Sequence, residues 1–191
     1  MISGARRAAA IALCVLLLRA EAQGWDLQAL MQDMAQVSSS RVRFVETRYL
    51  ALLTQPLELK GVLTYERPDH LTKHVQAPFD ERLTVEGDAL TFVSKRGTRV
   101  VSLRSEPAVR ALVESVRATL SGDRARLERY YEAELSGTGA AWMLRLAPRD
   151  PEVKSMVQGI VLSGSGSRVD VIEVLEAGGD RSKITILHDA K

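Results

Sequence analysis

Residues 63–92 read LTYERPDHLTKHVQAPFDERLTVEGDALTF. Apolar and polar side chains alternate along much of this stretch, as in RLTVE (82–86) and ALTFV (89–93), which is the period of a half-buried strand. Arg67-Pro68 interrupts the alternation and Gly87-Asp88 marks a turn. No recognisable catalytic motif lies inside the stretch. Its apolar face must therefore be covered by the rest of the chain or by a ligand.

Working outward, the same period recurs. Within 57–66, Leu57, Leu59, Leu63 and Tyr65 share one face, and further alternating segments fall at 142–147, 168–175 and 183–187. Turn signals stand between them at Arg96-Gly97, Gly137 with Gly139, residues 163–167 and Gly178-Gly179-Asp180. Short strands joined by tight turns predict a meandering antiparallel sheet, and the absence of a βαβ rhythm argues against a doubly wound nucleotide fold. Helical spacing appears at 26–37, through Leu27, Leu30, Met31, Met34 and Val37, before the polar run Ser38-Ser39-Ser40. A second amphipathic helix starts near Pro107, carries Val109, Leu112, Val113, Val116 and Leu120 on one stripe, and closes at Gly122. A short helix over 123–128 follows. The expected architecture is α+β in one domain, mainly β, with a helical insertion midway through a long sheet.

The first 22 residues read as a secretory signal. Arg6 and Arg7 precede an apolar run at 8–18, and Ala20-Glu21-Ala22 supplies an A-x-A cleavage pattern, so the folded chain is expected to begin at Gln23. The run is 11 residues long, whereas a spanning helix needs about 20. Cys14, in the middle of the run after Leu13, is not placed as a lipidated cysteine would be. Without residues 1–22 the chain has 23 basic and 23 acidic side chains and no cysteine. The electrostatic case for nucleic-acid binding disappears with the signal. A cysteine-free exported domain of 169 residues must be held by its core, which fits the periplasm.

Candidate chemistry is sparse. His70 and His74 are four apart, but in a strand they stand about 13 Å from each other, and the segment between them lacks the Glu of a zinc motif; His188 is remote in sequence. SGSGSR (163–168) matches neither a nucleophile elbow nor a phosphate loop and reads as a hairpin turn. Glu46, Glu66, Glu81 and Glu86 form no evident pair of the kind glycosidases use. No catalytic residue, metal site or cofactor is expected. Two readings of the sheet stay open: one closed over by helices that buries its own core, and a concave one that holds an apolar ligand beneath a helical lid.

The order of short motifs resembles the periplasmic lipoprotein carriers of the LolA family, and a LolA-related branch of it. Phe44-Val45-Glu46 answers an early Phe-x-Gln, Arg67-Pro68 answers a strand ending in Arg-Pro, 71–78 answers an apolar strand reaching a proline, and 83–92 answers two strands around a Gly-Asp turn. The resemblance implies an unclosed antiparallel β-barrel with helices lidding an apolar cavity. It implies that Arg67 locks the lid by hydrogen-bonding helix carbonyls, and that Val109, Leu112, Val113, Val116 and Leu120 form the lid's inner face. The cargo cavity is then expected to be lined by Phe44, Leu59, Leu63, Tyr65, Leu83, Val85, Leu90, Phe92 and Trp142. The implied function is a monomeric, non-enzymatic carrier of an acyl-bearing lipoprotein or lipid-like cargo, moving from an inner-membrane exporter to an outer-membrane acceptor. Three departures stand out: Glu46 replaces the usual Gln, Lys73 replaces an aromatic residue, and the sequence stops soon after 183–187 without the extension some carriers use in handover. The alternatives are a lipid-sensing or protein-binding envelope regulator on the same fold, and an accessory enzyme of lipid modification.

Overall fold

A computed structural model describes residues 25–188; the expected export signal at 1–22 lies outside them. In chain order the elements are α1 (Leu27–Met34), β1 (Ser39–Tyr49), β2 (Leu57–Glu66), β3 (His70–Ala77), β4 (Glu81–Glu86), β5 (Ala89–Ser94), β6 (Gly97–Ser102), α2 (Pro107–Ser121), α3 (Arg124–Tyr130), β7 (Tyr131–Thr138), β8 (Ala141–Pro148), α4 (Pro151–Lys154), β9 (Val157–Ser165), β10 (Arg168–Glu176) and β11 (Arg181–Leu187). All eleven strands form one antiparallel sheet in the order β6-β5-β4-β3-β2-β1-β11-β10-β9-β8-β7. The sheet is unclosed, with β6 and β7 as its edges. It is built of two meanders, one on either side of the helical insertion, joined where the first strand meets the last along Arg43↔Leu187 to Tyr49↔Arg181.

Local chemistry sets the helix ends. Asp26 caps α1, its carboxylate accepting from the Ala29 amide at 2.8 Å. Proline at the first position starts α2, and Gly122, at φ +71°, ends it in the left-handed conformation that glycine adopts at least cost. A Cβ on Gly122 would lie 2.2 Å from the Met31 carbonyl oxygen, so the same glycine lets the end of α2 approach α1. The Arg67-Pro68 and Ala77-Pro78 peptides are cis and fall in the turns on either side of β3.

The two halves of the sheet are covered unequally. On β7–β11, Leu144, Leu146, Ile160, Leu162 and Ile172 pack with Leu30, Met31 and Met34 of α1, Ala111 and Ala118 of α2, Leu127 of α3 and Val153 of α4 into the main core. On β1–β6 the buried cluster is only Phe44, Leu59 and Val75, with Leu57, Leu63 and Ile184 against it. Of the remaining inward apolar residues of the opening stretch, Tyr65 and Val85 are buried and Leu71, Leu83, Leu90 and Phe92 are half-buried. Its apolar face is therefore buried only in part.

Candidate functional site

Register places the site residues. Val42, Leu63, Lys73, Leu83 and Phe92 lie in one row across β1–β5, and Ser40, Tyr65, Leu71, Val85 and Leu90 lie in the next same-face row. Phe44, Leu59, Tyr65 and Val85 are buried, while Leu63, Leu83, Leu90 and Phe92 are half-buried. Trp142 stands apart from these eight. It is buried in the main core on the far half of the sheet, and its Nε1 donates to the Gly166 carbonyl at 2.9 Å.

Helix α2 reverses the usual burial of an amphipathic helix. Its buried residues are Ala111, Glu114, Ser115, Arg117, Ala118 and Thr119. The small ones among them allow close packing, and Glu114, fully enclosed, receives hydrogen bonds or ion pairs from Arg117 and Arg126. The apolar stripe is turned elsewhere. Val116 and Leu120 touch the main core, whereas Val109 and Val113 are half-buried, Leu112 is exposed, and none of these three joins either cluster.

The hairpin tips of the sheet hold α2 by polar contacts. Arg67, in the β2–β3 turn, donates one guanidinium nitrogen to the Ala35 carbonyl and another to the Ser121 carbonyl at 3.0 Å, bridging the C-terminal ends of α1 and α2. These are carbonyls that a helix end leaves without internal partners. Arg117 donates to the Gly87 carbonyl of the β4–β5 turn at 2.7 Å and lies 3.9 Å from Asp69. Arg110 lies 3.7 Å from Asp88, and Arg104 bonds the same carboxylate at 2.6 Å, holding its pKa below the ordinary value.

A second polar group sits on the face that carries Phe44 and Leu59. Glu46 is 2% exposed; Lys73 Nζ lies 2.5 Å from its Oε2 and Arg48 Nε 2.9 Å from its Oε1. The Lys73 ammonium also stands 5.4 Å from the centre of the Phe44 ring. Burial pushes the Lys73 pKa down, against the opposing pull of the Glu46 charge and hydrogen bond. Sequence reasoning marked Glu46 and Lys73 as separate departures and did not join them.

Two depressions, of about 300 and 450 Å³, lie elsewhere on the sheet, the first beside Tyr49 and Arg181 and the second beside Arg41 and Arg168; no α2 residue lines either. His74 pairs with Asp80 at 2.8 Å, His70 contacts Thr72, and His188 pairs with Asp170 at 2.9 Å. Among the described residues no three His, Cys, Asp or Glu side chains converge to hold a metal. No helix among them is long and apolar enough to cross a membrane.

The family described as "Outer membrane lipoprotein carrier protein LolA-like" matches residues 19–191. The chain belongs to this LolA-like family. Its unclosed sheet and overlying helices are the LolA-like fold. Solved structures similar to this LolA-like chain include a LolA superfamily protein from Nitrosomonas europaea, 12% identical, covering 86% of this chain and 94% of that one at a TM-score of 0.45. Another is a putative outer membrane lipoprotein-sorting protein domain from Vibrio parahaemolyticus, 10% identical, covering 86% and 90% at a TM-score of 0.49. A third, a DUF1329 family protein from Desulfovibrio piger, is 12% identical and covers 85% and 89% at a TM-score of 0.47. No sequence among the curated proteins matches the chain.

Proposed function

We propose that the protein is a periplasmic carrier that takes up the acyl chains of a lipoprotein or lipid-like cargo against the concave face of β1–β5, beneath α2, and ferries it toward the outer membrane. The reversed burial of α2 carries this reading. A helix that encloses Glu114 and Arg117 while leaving Leu112 exposed and Val109 and Val113 only half-buried keeps apolar surface available, as does the half-buried row Leu63, Leu83 and Phe92. An acyl chain supplies the missing contact. Each buried CH₂ contributes about 0.8 kcal/mol, so a sixteen-carbon chain gains about 12 kcal/mol in gross terms.

Such binding makes release slow unless the site opens, and membership of the LolA-like family supports a lid that does so. Arg67 would lock it; its bonds to Ala35 and Ser121, which must break if α1 or α2 parts from the β2–β3 turn, support that role. An inner-membrane exporter would load the carrier and an outer-membrane acceptor would unload it. No chemical step is required. The test is paired: saturable binding of an environment-sensitive acyl probe to the purified protein, displaced by natural lipid, then transfer of bound cargo to acceptor vesicles carrying the receptor. Absence of saturable binding to folded protein would leave the fold a self-sufficient scaffold and remove the carrier reading.

A further inference from the structure

The Glu46 group has no part in locking the lid, yet it lies on the concave face. Along β1 the inward side chains run Arg48, Glu46, Phe44, Val42 and Ser40, and β11 and β2 continue the face on either side. Glu46 is the enclosed member: its side chain is 3% exposed, against 20% for Lys73 and 40% for Arg48. Here two cations share one carboxylate, so the three-residue group carries one surplus positive charge, and the cations are its more exposed members. A ligand approaching this end of the face meets ammonium and guanidinium with the carboxylate beneath them.

We propose that Lys73 and Arg48, held over Glu46, form a headgroup subsite for a single-chain amphiphile ending in a carboxylate. This rests on the carrier reading and narrows its cargo class. One negative charge balances the surplus, and a carboxylate matches the planar donor fork of arginine. Glu46 acts as the positioning residue that holds the two cations side by side. The tail runs from this group over Phe44 and Leu63 toward Leu83, Leu90 and the α2 end. From Arg48 to Ser40 the strand spans about 26 Å, enough for an extended sixteen-carbon chain.

The experiment measures displacement of the acyl probe by hexadecanoate, hexadecanol and hexadecyltrimethylammonium at one pH and ionic strength. In the unaltered protein hexadecanoate should bind about tenfold more tightly than hexadecanol, with the cationic amphiphile weakest. Arg48→Met removes the surplus charge and should bring the acid-to-alcohol ratio close to one. Lys73→Met removes the other cation, leaves Glu46 paired with Arg48, and should lower the ratio likewise, so the test stands even if Arg48→Met fails to fold. Equal binding of acid and alcohol by the unaltered protein, or a ratio that neither variant lowers, overturns the subsite while leaving acyl binding intact. Failure of all three amphiphiles to bind folded protein overturns both the subsite and the carrier reading.

Discussion

Arg67 is an exposed side chain whose two hydrogen bonds join three elements, so its contribution belongs to the relative positions of the helices more than to global stability. Charge-assisted bonds are worth about 1.5–3 kcal/mol each when shielded, and exposure to solvent places these at the lower end. Arg67→Leu should therefore lower the unfolding midpoint only slightly, leave acyl-probe loading intact and reduce transfer to acceptor vesicles several-fold. Arg67→Lys should rescue it only in part, since an ammonium lacks the planar fork that reaches Ala35 and Ser121 together. Transfer at the unaltered rate by both variants would make Arg67 an ordinary turn residue. The sequence could show that an arginine stands before a proline in this turn. It could not show the partners, because both are backbone carbonyls, 32 and 54 positions away, and carry no residue signature. The Glu46–Lys73 contact was hidden for a related reason. It joins β1 to β3 across β2, so it is visible only once the register of three strands is known. Two isolated charge changes, an acid and a base on strands of one sheet, were the available signal.

At the scale of elements, strongly periodic segments were legible and weakly patterned ones were not. The alternation at 57–66 coincides with β2, and Pro107 and Gly122 bound α2 as expected. The helix expected at 26–37 is shorter, Leu27–Met34, because the chain turns through Ala35 to Val37 before β1. The supposed turn at 163–167 begins inside β9, where Ser163 and Gly164 pair with Val171 and Val169, and the reversal itself occurs around Gly166. The exposed edge strand β6 and the four-residue α4 lack a buried face long enough to impose a period. Asp150-Pro151 was nevertheless a readable start signal for α4, with Asp150 accepting from the Glu152 amide at 2.7 Å. The contact between α1 and α2 yields a controlled prediction. Gly122 and Gly166 both have positive φ, but an added Cβ meets the α1 backbone at Gly122 and open space at Gly166. Gly166→Ala should cost about 1–2 kcal/mol for the left-handed backbone alone. Gly122→Ala should cost more in urea unfolding, because α1 and α2 must also separate. Equal losses would show that the helix ends yield without resistance.

Across the whole molecule, one half of the sheet carries the main core beneath the packed helices and the other carries a smaller core and the half-buried apolar rows. This division predicts where stability resides. Strands β8–β10, enclosed by α1, α2, α3 and α4, should open only with global unfolding, whereas β4–β6, with Val93 and Val100 exposed and Leu83, Leu90 and Phe92 half-buried, should open locally. Amide hydrogen exchange followed from seconds to hours distinguishes the two. In the free protein, β4–β6 should exchange earliest among the strands. Saturation with the acyl probe should slow β2–β5 and the Val109–Val113 side of α2 at short times, because a chain bridging those elements must leave before they separate. Amides of β8–β10 should change only at long times, and only by the global stabilisation that any ligand of the native state confers. Protection confined to β8–β10 at early times would place the ligand in the packed half and contradict a site between α2 and β1–β5. Early protection of β2–β5 without any in α2 would instead describe a chain lying on an open sheet face, and Arg67 would then have no lid to hold.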